Sequence, residues 1–304
     1  MKILFFGTPR FAEIVLQGLL ESKHNVVGVV CQNDKPSGRG NKMVSPRIVE
    51  KARQNGIAVY QFEKLREHID DFKAIDCDIF VTASYGKILP KSLLEIRPCV
   101  NVHPSLLPKY RGATPIQSAL LAGDEVTGVT IMKTEVGMDD GDIYVQEKMK
   151  IDDDDDFFSL HDKLADLGVK LLIETLDKIQ NGTAKRTPQK HKEATFVKMI
   201  EKADAHLDFS KSVKTLVNEV RAYAESPVAF FFVGGARIKV QKARVFSSEQ
   251  SVPIGTIIEN KKHFLIQASD GVLEILRCQA EGGKMLDAAS FLNGYRFASR
   301  QVDA

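Results

Sequence analysis

A strand-like segment from Lys2 to Phe6, apolar from Ile3 onward, stops at Gly7-Thr8-Pro9, gives way to helical spacing, and is followed by a second from Asn25 to Cys31, without a polar side chain after Asn25. Runs with no polar alternation must be covered on both faces, which in one sheet requires helices above and below it. Between them, Phe11, Ile14, Val15, Leu19 and Leu20 mark the inner face of a helix from Arg10 to Ser22. Strand, helix and strand within about 30 residues make a βαβ unit, whose right-handed crossover sets the two strands parallel.

The grammar continues. Ile48 to Asn55 has helical spacing, Ala58 to Phe62 reads as a short strand, and Cys77 to Ser84 as a continuous apolar strand. Further strands are expected in Pro98 to Val102, Thr127 to Thr134 and Asp142 to Ile151, then an amphipathic helix from Ser159 to Gln180 ended by Asn181-Gly182. Alternating strands and helices predict an α/β domain, a doubly wound Rossmann-like and mainly parallel sheet, over residues 1–182. Residues 183–203 are polar, contain Pro188 and keep no period, so they read as a linker.

Residues 204–304 follow other rules. A helix at Val213 to Tyr223 precedes short strands at Val228 to Val233, Ala236 to Phe246, Gly255 to Asn260, Phe264 to Ala268 and Leu273 to Cys278. Gly234-Gly235, Asn260-Lys261-Lys262 and Ser269-Asp270-Gly271 are the turns between them. This pattern predicts a smaller OB-like β-barrel. The acidic run Asp152 to Asp156 is expected only to cap the helix that follows.

Composition narrows the classes. No stretch of about 20 apolar residues could cross a bilayer, and the chain start lacks a basic flank and cleavage site, so a soluble, unprocessed, cytoplasmic protein is expected. The four cysteines, Cys31, Cys77, Cys99 and Cys278, show neither metal-ligand spacing nor a disulfide framework, so no metal is expected. Net charge is +2, but residues 185 to 304 hold 19 Lys and Arg against 13 Asp and Glu. A basic second half is suited to a polyanion.

Gly7-Thr8-Pro9-Arg10 offers one glycine and a proline without an N–H, so it cannot cradle a dinucleotide pyrophosphate. The chemistry-bearing segment is Asn101-Val102-His103-Pro104-Ser105-Leu106-Leu107-Pro108, leaving an expected strand. Period-two alternation puts Asn101 and His103 on one face, a carboxamide and an imidazole aimed at one volume at the carboxyl end of a strand. Gly137-Met138-Asp139-Asp140-Gly141-Asp142 is a glycine-framed loop that can bring a carboxylate to the same edge. A carboxylate beside an imidazole fixes its tautomer and favours its charged form. Spacing alone leaves open a hairpin loop with solvated aspartates.

The run NVHPSLLPKYRGATPIQ with GDEVTGVTIMKTEVGMDDGDI resembles the signature of the formyltetrahydrofolate-dependent formyltransferases. FFGTPRFAEIVLQGLL and DKPSGRGNKMVSP narrow the resemblance to members that formylate initiator methionyl-tRNA for translation initiation. The likeness is dense over residues 1–180 and looser beyond. It implies Asn101, His103 and Asp139 as the catalytic set, the Gly137 and Gly141 frame favouring Asp139 over Asp140. It implies 10-formyltetrahydrofolate as cosubstrate, bound by Tyr85, Gly86, Lys87, Ile88 and Leu89 and by Ser105, Leu106, Leu107 and Pro108. Arg39 and Lys42 fall in the family's basic loop that meets the acceptor end of the tRNA, and a monomer is expected. Other acceptors within the family, a purine precursor or an amino sugar, stay open, as do formylfolate hydrolysis and a non-catalytic RNA-binding protein.

Overall fold

The computed structural model describes residues 1–37, 42–249, 251–258, 260 and 262–303. The chain forms two compact units, one of Met1–Pro115, Val126–Lys150 and His161–Val197, the other of Ile116–Glu125, Ile151–Leu160 and Lys198–Ala304.

The first unit holds β1 (Lys2–Gly7), β2 (Asn25–Val30), β3 (Lys35–Ser37), β4 (Lys42–Val44), β5 (Ala58–Tyr60), β6 (Ile79–Ala83), β7 (Cys99–His103), β8 (Arg111–Gly112), β9 (Val126–Lys133), β10 (Ile143–Lys150) and β11 (Phe196–Val197). Its main sheet runs in the order β10-β9-β7-β6-β1-β2-β5. β5, β2, β1, β6 and β7 are mutually parallel, while β9 and β10 are antiparallel additions at one edge. The expected mainly parallel sheet is therefore present. β1 and β6 are buried almost throughout, which is why their sequences carry no alternation, whereas outermost β10 alternates half-buried and exposed positions. Phe6 centres one core layer, with the rings of Phe80, Tyr85 and Phe72 at 5.3, 5.5 and 5.9 Å.

The helix Arg10–Leu20 buries Phe11, Ala12, Val15, Leu16 and Leu19. The long helix begins at Phe157, two residues before the expected Ser159, because Asp156 Oδ1 accepts the Phe158 and Ser159 amides at 2.9 and 3.1 Å. Gly182, at φ +70°, follows its end.

The segment expected to be a linker, 183–203, is divided. Residues up to Val197 lie in the first unit: Thr187 and Ile143 exchange both backbone hydrogen bonds at 2.9 Å, and β11 pairs with β8 in parallel. These partners, the start of β10 and the two-residue β8, are distant in sequence, so the segment shows no period of its own although these backbone groups are paired.

The second unit contains β12 (Phe230–Val233), β13 (Ala236–Ser247), β14 (Ile257–Ile258), β15 (Phe264–Gln267), β16 (Val272–Ala280) and β17 (Leu286–Asp287). All pair antiparallel in the order β12-β13-β16-β15-β14, with β17 also on β16. Gly234 and Gly235, at φ +56° and +78°, make the two-residue hairpin between β12 and β13. Register shifts along β13 bend the sheet, and Phe231, Ile238, Val240, Phe264, Ile266 and Ile275 fill its inner face. The arrangement is the expected curled, OB-like one.

Its two edges are joined by the last residues. Ile257 N–H donates to the Arg300 carbonyl at 2.8 Å, Asp303 N–H to the Phe232 carbonyl at 2.8 Å, and the Asp303 carboxylate accepts Gly234 and Gly235 amides at 2.8 and 2.7 Å. Asp303→Ala should therefore cost about 1 kcal/mol, the usual range for an exposed charge-assisted pair, and a chain ending at Ser299 should melt lower still. Thermal circular dichroism on both variants checks this. An unchanged melting midpoint for the shortened chain would remove these residues from the barrel.

Candidate active site

Three strands of the first unit, β1, β6 and β7, release their carboxyl ends side by side, the position at which open α/β sheets bind ligands. Asn101 and His103 both stand on β7, two residues apart and hence on one face. Asn101 is half-buried and faces Thr82 of β6 in register; Thr82 Oγ1 donates to Asn101 Oδ1 at 2.8 Å. With its oxygen held, the carboxamide presents its NH2, which has no hydrogen-bond partner among the described residues.

His103 is 4% exposed. Its Nε2 lies 2.9 Å from the Tyr110 carbonyl, which can only accept, so Nε2 carries a proton and Nδ1 is the nitrogen left for chemistry. Nδ1 is 3.7 Å from Asp139 Oδ2. Asp139 has φ +48°, in the left-handed region uncommon for non-glycine residues, and its Oδ2 accepts the Gly112 amide at 2.8 Å. Gly112, at φ +117°, has no alternative residue: a Cβ there would also strike the Val197 carbonyl oxygen. The neighbouring Asp140 carboxylate folds over Gly137 instead, where a Cβ would meet it. The structure thus brings Asn101, His103 and Asp139 to one edge and turns Asp140 aside.

Residues 105–108 form a fixed shelf beside them. Ser105 is fully buried, and its Oγ donates to the Lys109 carbonyl at 2.6 Å. Thr130 Oγ1 donates to the Ser105 carbonyl at 2.6 Å and accepts the Leu107 amide at 3.2 Å, while Gln146 Nε2 donates to the Leu107 carbonyl at 2.9 Å. Leu107 is buried; Leu106 and Pro108 are half-buried. Gly128 leaves room for Leu106, whose Cδ2 would lie 2.6 Å from a Cβ there.

The loop after β6 leaves the same carboxyl edge of the sheet, next to that after β7. Gln32 Nε2 and Thr8 Oγ1 both donate to the Tyr85 carbonyl, at 3.0 and 3.4 Å. Gly86 takes φ +75°, Leu89 is buried, and Ile88 is 79% exposed. Burial raises the Tyr85 phenol well above its ordinary pKa, keeping it neutral. The Lys87 ammonium is bound to the Phe62 and Glu63 carbonyls at 2.8 and 3.0 Å, so it anchors the loop. Arg39 lies outside the described residues; Lys42 opens β4, which pairs with β3, and its side chain is likewise outside them.

Several partners at the site were not singled out from sequence: Thr82, Gly112 as a donor, Thr130, Gln146 and Gln189. Thr82 alone carried a signal, as the one hydroxyl in the otherwise apolar strand Ile79–Ala83. No group of three or more His, Cys, Asp or Glu that could hold a metal occurs among the described residues, and no helix is long and apolar enough to cross a membrane.

Residues 1–176 match the model of the family described as formyl transferase, and residues 199–296 that of the formyl transferase C-terminal domain. The methionyl-tRNA formyltransferase of Sulfurihydrogenibium sp. (strain YO3AOP1) is 40% identical over 303 residues, 97% of each chain. That of Lactobacillus johnsonii is 42% identical over 299 residues, 96% of this chain and 95% of the relative. Among solved structures, WlaRD, a sugar 3N-formyl transferase, superposes with a TM-score of 0.69 at 22% identity, over 92% of this chain and 97% of its own. HypX from Aquifex aeolicus, in complex with tetrahydrofolic acid, gives 0.70 at 17% identity over 96% of this chain, which spans 47% of HypX. These two likenesses speak for the fold alone; the family matches and the near-full-length identities show the family. The chain belongs to the formyl transferase family.

Proposed function

We propose that this chain transfers a formyl group from 10-formyltetrahydrofolate to the α-amine of methionyl initiator tRNA. The observation that carries the reading is the meeting of one carboxamide, one imidazole and one carboxylate at the end of β7, in a chain about two-fifths identical, end to end, to methionyl-tRNA formyltransferases. The residues fit a formylfolate. The Asn101 NH2 needs a partner, and Ile88 offers an exposed apolar surface beside the Tyr85 to Leu89 wall and the Ser105 to Pro108 shelf. The folate supplies an activated formyl carbon; the protein supplies position and charge.

The acceptor amine, with an ordinary pKa near 8, adds as the neutral amine. Negative charge then gathers on the formyl oxygen. Asn101 Nδ2 donates to that oxygen, and His103 does so from Nδ1 in its charged form, while Nε2 stays on the Tyr110 carbonyl. Each such preorganised donor is worth about 3 to 4 kcal/mol of barrier. Asp139, 3.7 Å from His103 Nδ1, balances the charged ring, takes the amine proton by way of one water, and gives a proton back to the folate nitrogen as the old formyl carbon–nitrogen bond breaks and tetrahydrofolate leaves. Arg39 and Lys42 are assigned to the acceptor end of the tRNA, where Lys and Arg hold phosphates without reading sequence.

Supplying formylfolate with methionyl-tRNA, glycinamide ribonucleotide or an amino-sugar nucleotide, and identifying the formylated product, tests the acceptor. Only the methionyl-tRNA should be formylated; tRNA binding without turnover would overturn the reading. His103→Ala and Asp139→Asn should each lower kcat by about 10² to 10³ in folded protein, as read by single-turnover formylation. Near-normal turnover of His103→Ala removes His103 from the chemistry. Arg39→Ala should instead raise KM for tRNA, leave KM for formylfolate unchanged, and flatten the salt dependence of tRNA binding by about one phosphate contact. A defect confined to folate would reassign that loop.

A further inference from the structure

Gln189 lies in the segment after the long helix, is 5% exposed, and uses its whole hydrogen-bonding capacity within the first unit. Its Nε2 donates to the Asp139 carbonyl at 2.8 Å and to the Gly141 carbonyl at 2.7 Å. Its Oε1 accepts Arg111 Nε at 3.2 Å and Nη2 at 2.7 Å. Both carboxamide hydrogens and both lone-pair positions are thus occupied. The orientation is unambiguous, because a guanidinium only donates and a carbonyl only accepts.

The contacts close a ring. Arg111 precedes Gly112, whose amide holds the Asp139 carboxylate at 2.8 Å, and Asp139 returns to Gln189 through its own carbonyl. Arg111 is 4% exposed, and its remaining contacts are His191 Nδ1 at 3.1 Å and the Phe196 ring at 5.9 Å. Neighbouring residues of the same segment fix the other side of the loop: the Thr195 carbonyl accepts the Arg111 amide at 2.8 Å, and Thr195 Oγ1 accepts the Tyr110 amide at 2.8 Å. The Tyr110 carbonyl is the group that holds His103. One short segment therefore grips the backbone beside both members of the His103 and Asp139 pair.

We propose that Gln189, oriented by Arg111, is a positioning residue that holds Asp139 in its left-handed backbone conformation and so sets its carboxylate against His103. The inference rests on the role of Asp139 given above. A residue in that conformation does not stay there unless its surroundings over-determine it, and Gln189 grips the carbonyl on one side of its Cα while Gly112 grips its side chain. Displacing a reacting group by about 1 Å costs on the order of 10²-fold in rate.

The diagnostic variant is Gln189→Glu. It keeps size and strengthens the Arg111 contact, but sets an acceptor against the Asp139 and Gly141 carbonyls. Gln189→Glu and Gln189→Met should each lower kcat for formylation by about 10- to 100-fold, with KM for methionyl-tRNA and for formylfolate within about twofold of the parent, measured well below the melting midpoint. In an Asp139→Asn background the same substitutions should have no further effect on kcat, since residues acting as one unit are not additive. Should Gln189→Glu not fold, Gln189→Met decides alone. Folded variants with parental kcat, or a loss of the same size with and without Asp139, would overturn the proposal. Asp139→Asn by itself separates the two levels: normal turnover there removes the role of Asp139, whereas slow turnover there with parental Gln189 variants removes only that of Gln189.

Discussion

The hydrogen bond from the Gly112 amide to Asp139 Oδ2 joins two loops that leave the sheet 27 residues apart in sequence, and the geometry of the site hangs on it. Both ends need positive φ: Gly112 at +117°, which only glycine adopts freely, and Asp139 at +48°, which is costly for a residue with a side chain. Gly112 is paired in the short β8 and β11 ladder, but Asp139 lies in no strand, so side chains and amides of other segments must hold it. That is why Gln189, Arg111 and the Gly112 amide gather around Asp139 while the sheet is packed with Phe, Val, Ile and Leu.

The same device recurs at the other members of the site. Tyr110 fixes one nitrogen of His103, and Thr82 fixes the oxygen of Asn101. In each case the scaffold occupies one end of the side chain and leaves the other, the Asn101 NH2 or His103 Nδ1, as the end that the proposed chemistry uses. Hydrogen-bond donors aimed before the reaction require no reorganisation when charge appears. The thiols stand apart from this economy: burial pushes Cys31 up to about 11 and Cys99 and Cys278 up to about 12, so they remain protonated, apolar side chains near neutral pH.

The fold was legible wherever burial leaves a sequence mark. β1, β2 and β6 are covered on both faces and read as unbroken apolar runs; Gly234-Gly235 marks its hairpin because two successive residues require positive φ. What escaped notice was pairing between short, distant pieces. β8 and β11 are two residues each, lie 85 positions apart, and differ in no local way from loop. The short β17 and the helix Ala288–Gly294 escaped for another reason: at two and seven residues they are too brief to set a period, although Asp287 Oδ1, accepting the Ser290 amide at 2.9 Å, caps the helix. Propensity and periodicity register burial and turns, and pairing across long separations is neither.

The site divides along the same physical line. Asn101, His103 and Asp139 could be found because strand alternation and a glycine frame are local and because their motif resembles a known family. Their supports could not be found that way, since each is recognisable only by what it touches. Thr82 differs from its strand neighbours by one hydroxyl, and Gln189 sits in a polar stretch where a glutamine is unremarked. Yet Gln189 has the more demanding chemistry of the two: a donor pair and an acceptor pair in one planar group, matched to two carbonyls and one guanidinium. Neither a carboxylate nor a hydroxyl can satisfy that set, so the side chain's identity is fixed by contacts that come together only when residues 111, 139, 141 and 189 have been brought to one place by the folded sheet.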